Sequence, residues 1–95
     1  MNQLDLNQRI AVITGGAQGM GYATAQRMLA SGAAVALWDI DAQRLAQARE
    51  TLKPAGKVIT AVVELTDEAS VEAATQATLA AFGRIDILVD RKSVV

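Results

Sequence analysis

The sequence predicts an α/β fold, a doubly wound parallel sheet with four strands and three helices in the order β-α-β-α-β-α-β. Three observations carry this. Four short runs rich in β-branched residues, Arg9 to Thr14, Ala34 to Asp39, Lys57 to Val63 and Ile85 to Val89, alternate with longer Ala-rich stretches. The runs are almost continuously apolar instead of alternating apolar with polar, which is the pattern of strands buried on both faces of a parallel sheet. They begin about every 25 residues, the spacing a strand, a crossover helix and its turns require.

The punctuation between the runs supports each element in turn. The first strand ends at Thr14, where glycines at 15, 19 and 21 begin. In the stretch that follows, Ala25, Met28 and Leu29 share one helical face, and Gly32 stands where a helix C-terminus favours glycine. The second strand closes at Asp39, and Asp41 is placed to cap a helix whose buried stripe is Leu45, Ala48 and Leu52 before Pro54 and Gly56 stop it. After the third strand, Thr66 and Asp67 offer caps for a helix that turns Val71, Ala74, Thr78 and Phe82 inward and ends at Gly83. With Tyr22, Trp38 and Phe82 the only aromatics, the core is built from Ala, Val, Ile and Leu, and Trp38 is assigned to it.

Composition narrows the function. Ninety-five residues suffice for one small domain, and 52% apolar with 20% charged residues suits a packed core. A net charge of −1 gives no electrostatic footprint for nucleic acid or an anionic membrane. Without Cys or His there is no disulfide, no thiolate or imidazole metal site and no Ser-His-Asp or Cys-His mechanism. The polar start, Met1 to Arg9, and the short apolar runs lead us to expect a cytoplasmic protein without an export signal or membrane span. Glu64, Asp67 and Glu68 bring too few oxygens together for a metal cage.

The stretch Thr14 to Gly21, TGGAQGMG, carries the chemistry. A loop between a strand and a helix aims free backbone N–H groups and the positive end of the helix dipole at one point, and so favours a phosphate. Gly15 allows a sharp turn off the strand, Gly19 removes a Cβ that would block a pyrophosphate, and Gly21 lets the helix pack close on the sheet. Asp39 follows Gly21 by 18 positions, close to the spacing of about 20 at which an acidic residue meets the adenosine ribose of a dinucleotide. A carboxylate there repels a 2′-phosphate, and Gln18, Ile40 and Asp41 offer no cation to offset it. The cofactor expected is NAD, in preference to NADP.

These residues resemble the start of the short-chain dehydrogenase/reductase family, whose phosphate loop reads Thr-Gly-x-x-x-Gly-x-Gly as Thr14 to Gly21 does. The likeness extends from about residue 7 to Val89 and includes Asp39 closing the second strand, the acidic-x-Thr-Asp stretch after the third, and Gly83-Arg84-Ile85-Asp86 leading into Ile87-Leu88-Val89. It implies the first half of a Rossmann sheet with strand order 3-2-1-4. By the resemblance, Gly15, Gln18, Gly19, Met20 and Gly21 surround the pyrophosphate and nearby ribose. Asp39 and Ile40 take the adenosine ribose, and Glu64 with Leu65 takes the adenine. The family usually has Asp where this chain has Glu64, and the extra methylene alters the reach of that carboxylate.

The resemblance stops after Val89. The family continues with Asn-Asn-Ala-Gly; here the chain reads Asp90-Arg91-Lys92-Ser93-Val94-Val95. Followed by a stop, those six residues match one reading frame of a widely used sequencing-adapter strand. Residues 1–89 are therefore expected to be the N-terminal NAD-binding half of a Rossmann domain and 90–95 a non-family tail from adapter read-through, the alternative being a genuine short C-terminus. The family's catalytic Ser and Tyr-x-x-x-Lys are not among these residues, since Tyr22 is followed four positions on by Gln26, and no residue takes a catalytic role. The expectation is an NAD-binding part of an oxidoreductase that passes a hydride between NAD(H) and an alcohol or carbonyl, inactive by itself, its parent a homo-oligomer and the 95 residues prone to self-association. A non-catalytic nucleotide-binding module and a non-functional translation product are the rival readings.

Overall fold

The computed structural model describes residues 8–17 and 19–89; the tail at 90–95 lies outside them. Strand β1 (Ile10–Thr14) leads through the glycine loop to helix α1 (Gly19–Ala30), followed by β2 (Ala34–Asp39), α2 (Ala42–Leu52), a 3-10 turn (Lys53–Ala55), β3 (Val58–Val62), α3 (Glu68–Phe82) and β4 (Ile87–Val89). The four strands form one parallel sheet in the order β3-β2-β1-β4. This is the α/β arrangement the apolar runs predict.

Alternation along each strand sends neighbouring side chains to opposite faces. Ala11 and Ile13 of β1 and Val35 and Leu37 of β2 join Ala25 and Leu29 of α1 and Leu45, Ala48 and Leu52 of α2 in one buried cluster. Val12, Ala36 and Trp38 face the other way, with Val63, directly after β3, and Ala74 of α3. Both faces of β1 and β2 are thereby dry, which explains why their sequences show no polar alternation.

Local signals end the helices as expected. Asp41 accepts from Arg44 N–H at 3.1 Å and caps α2. Of the two candidates before α3, Asp67 is the cap, accepting from Ala69 N–H at 3.0 Å, while Thr66 Oγ1 donates to Glu64 Oε1. Gly83 closes α3 by donating its N–H to Leu79 O at 2.7 Å. The strands are shorter than the apolar runs because their ends meet water or turn: Arg9 and Lys57 are exposed, and Ile85 leaves the line of β4 to pack beneath α3.

Candidate functional site

Four parallel strands bring their carboxyl ends to one edge, with Thr14 opposite Trp38 and Asp39 opposite Val62. The glycine loop leaves this edge beside the point where β1 is flanked by β2 on one side and β4 on the other, the switch in strand order at which α/β sheets open a crevice. Gly15 (φ +64°) turns the chain off β1, and Gly19 (φ +61°) starts α1; both backbone conformations favour glycine. Among the described residues, a Cβ on Gly19 would meet no atom within 4 Å beyond its chain neighbours and its own helix backbone, and would project into open space. The first-turn N–H groups of α1 lack intrahelical acceptors, so this clearance lies where an anion gains most.

The loop is tied to the end of β2. Gly15 and Gly16 both donate their N–H to Trp38 O, at 2.7 and 3.3 Å, and Ala17 N–H donates to Asp39 Oδ2 at 3.2 Å. Asp39 Oδ1 accepts from Asp41 N–H at 3.2 Å, and the residue is only 9% exposed. A carboxylate has about four lone-pair positions, so each oxygen keeps acceptor capacity for a hydroxyl donor. The structure thus brings the glycine loop and Asp39 into direct contact, although they are distant in sequence.

The remaining expected residues stand around the same edge. Met20 in the first turn of α1, Ile40 directly after β2 and Leu65 shortly after β3 are 69%, 62% and 40% exposed, so three large apolar side chains remain in water beside the crevice. Glu64 is exposed as well, with Oε1 accepting from Thr66 Oγ1 at 3.0 Å. Gln18 lies outside the described residues. Among the described residues no cluster of acidic side chains could hold a metal ion, and no helix is long and apolar enough to cross a membrane.

Two expectations need correction. Gly21 does not chiefly serve packing of helix on sheet: a Cβ there would collide with the carbonyl group of Gly15, because the first turn of α1 folds back over the turn that leaves β1. The glycine that lets the loop lie close on the sheet is Gly16, whose Cβ would come within 2.9 Å of Ile13 O and of Leu37 Cδ2. A cation also reaches the loop. Arg44 lines a cleft of about 250 Å³ with Ala17, Gly19, Tyr22, Gln47 and Thr51, and its Nε lies 3.3 Å from Asp41 Oδ2. Its position in the first turns of α2 was the available signal. A larger hollow of about 480 Å³ opens at the opposite edge, among Ile10, Ala34, Lys57 and Phe82, and contains none of the expected site residues.

The sequence profile of the family described as short chain dehydrogenase matches residues 9–93. Levodione reductase from Leifsonia aquatica is 42% identical over 81 residues, 82% of this chain and 30% of that protein. Among solved structures, a short chain dehydrogenase from Mycobacterium smegmatis superposes with a TM-score of 0.89 at 30% identity, covering 99% of this chain and 41% of the other. A short chain dehydrogenase/reductase from Burkholderia phymatum in complex with NAD superposes with a TM-score of 0.84 at 35% identity, covering 90% and 31%. The chain spans about a third of the length of the curated relatives it matches.

Proposed function

Because the chain belongs to the short-chain dehydrogenase family, we propose that it is the NAD-binding half of an oxidoreductase that passes a hydride between NAD(H) and an alcohol or carbonyl substrate. The observation that most supports this is the Asp39 carboxylate beside the phosphate-type loop, hydrogen-bonded to Ala17 N–H with acceptor capacity left over. When bound, the dinucleotide supplies the hydride donor or acceptor. The chain's own residues bind and orient it. The loop from Gly15 through Gln18, Gly19, Met20 and Gly21 takes the pyrophosphate, Asp39 and Ile40 the adenosine ribose, and Glu64 and Leu65 the adenine. Exposed Met20, Ile40 and Leu65 gain by being covered, at about 25 cal/mol per Å² of apolar surface removed from water.

NAD is favoured over NADP because a 2′-phosphate would approach the Asp39 carboxylate. Arg44 does little to offset this, since its guanidinium is already paired with Asp41. Calorimetric titration of the 95-residue chain should give tighter binding of NADH than of NADPH, with Asp39→Ala narrowing the difference. Equal affinities for the unaltered chain would count against the role of Asp39. Hydride transfer also needs a proton relay, and the family's Tyr and Lys are not among these residues. The purified 95-residue chain is therefore expected to bind NADH without oxidising it in the presence of carbonyl compounds, and turnover that persists through purification would refute this.

A further inference from the structure

We propose that Asp39 is also a positioning residue of the phosphate loop: its carboxylate holds the loop in its binding shape before any ligand arrives. This rests on the dinucleotide-binding reading above and deepens it. Three successive loop amides are tied to β2. The first two, from Gly15 and Gly16, go to the backbone carbonyl of Trp38 and would persist with any side chain at position 39. The third, from Ala17, goes to Asp39 Oδ2 and depends on the side chain. It is made just before the chain turns into α1 through Gly19. The carboxylate is itself anchored by Asp41 N–H and largely buried, so its direction is set by the protein. A buried acceptor held in this way restricts the loop, and the Ala17 N–H is committed inward to it.

The two effects of this carboxylate on an anion have opposite signs. Its charge repels pyrophosphate, whereas its hydrogen bond keeps the loop ordered to receive it. Loss of charge alone would tighten pyrophosphate binding. Loss of the clamp would weaken it.

The experiment uses the 95-residue chain, unaltered and as Asp39→Ala and Asp39→Asn. Amide hydrogen exchange is followed by NMR, and affinity for inorganic pyrophosphate is measured by displacement of NADH. In Asp39→Ala the Ala17 amide should exchange about tenfold faster, as loss of one hydrogen bond implies, while Val63, whose N–H donates to the Asp39 backbone carbonyl, stays protected. Pyrophosphate should bind severalfold more weakly to Asp39→Ala. Asp39→Asn, whose single acceptor oxygen keeps the Ala17 bond without the charge while its amide nitrogen gives up the Asp41 bond, should bind pyrophosphate more tightly than Asp39→Ala. If Asp39→Ala does not fold, Asp39→Ser, whose shorter side chain falls short of Ala17, is read in the same way. Tighter pyrophosphate binding by Asp39→Ala, or unchanged Ala17 exchange in a chain that binds NADH, overturns the clamp alone. Failure of the unaltered chain to bind NADH overturns the dinucleotide reading and the clamp with it.

Discussion

At the amino edge of the sheet Asp86 joins β4 to β1 through its side chain. Ile10 N–H and Arg84 Nε both donate to Oδ2 at 2.9 Å, Arg9 Nη1 approaches Oδ1 at 3.8 Å, and Arg84 Nη2 continues to the Gln8 carbonyl at 2.8 Å. The backbone hydrogen bond from Ile10, helped by the bond and charge of Arg84 and the charge of Arg9, holds the Asp86 carboxyl below its ordinary range against a smaller opposing effect of desolvation. A carboxyl lowered by folding adds stability that is fully present above the ordinary carboxylate pKa, and loses it as pH falls through the lowered value. Thermal melts from pH 7 down to below about pH 4, where carboxylates protonate, should show a steeper loss for the unaltered chain than for Asp86→Asn. Parallel profiles would remove Asp86 from the acid response. Gly21 offers a second test at this scale. Gly21→Ala drives a methyl into the Gly15 carbonyl, so in thermal melts it should cost about 1–3 kcal/mol in overpacking, and because it distorts the loop it should also weaken NADH binding.

Strand β2 carries more of the architecture than its six residues suggest. It pairs with both β1 and β3, presents Trp38 O and Asp39 to the glycine loop, and sends the Trp38 ring into the face covered by α3. There the indole N–H donates to Thr78 Oγ1 at 3.3 Å, and that hydroxyl donates to Ala74 O at 2.8 Å. Thr78 thus satisfies the one polar atom of a buried indole. Thr78→Val keeps the shape but strands that N–H, which should cost about 1–3 kcal/mol. It should also shift Trp38 emission, while Thr78→Ser preserves most of both. An unchanged denaturation midpoint in Thr78→Val would show that the bond contributes no net stability. Helix α3 also depends on its cap, and Asp67→Ala should cost about 1 kcal/mol in the same assay.

For the molecule as a whole, cover is uneven. Helices α1 and α2 bury one face of the sheet, while α3 covers the other. On that second face Val12 is fully buried, whereas its register partner Leu88 on β4 is 64% exposed. Strand β4 has β1 on one side and, among the described residues, no strand on the other. A strand edge with unpaired N–H and C=O groups beside an exposed Leu templates pairing with another chain. Light scattering should therefore show association of the 95-residue chain at concentrations on the order of 100 μM, where a contact of about 5 kcal/mol registers, and Leu88→Lys should reduce it. A stable monomer with protected β4 amides would show that the four-stranded sheet is self-sufficient. Added NAD should raise the melting temperature by mass action, by about 2.7 kcal/mol of stabilisation at a hundredfold excess over Kd.

What the sequence by itself determined is local or periodic. Runs such as Ile10–Thr14 announce buried strands because sheet burial on two faces removes the need for polar residues. Asp41, Asp67 and Gly83 mark helix ends because a cap acts within one turn of its own residue. The glycine spacing and the distance to Asp39 are legible for the same reason, since one strand–helix–strand unit has a nearly constant length. Contacts that depend on register were decided by the tertiary structure. That Ala17 bonds Asp39, that Gly16 abuts Leu37, and that Arg44 comes to the loop follow from how β1, β2 and α2 pack. Side chains separated by some twenty residues meet only after close packing has set the strands' register and the helices' depth, and neither is written in any short stretch of sequence.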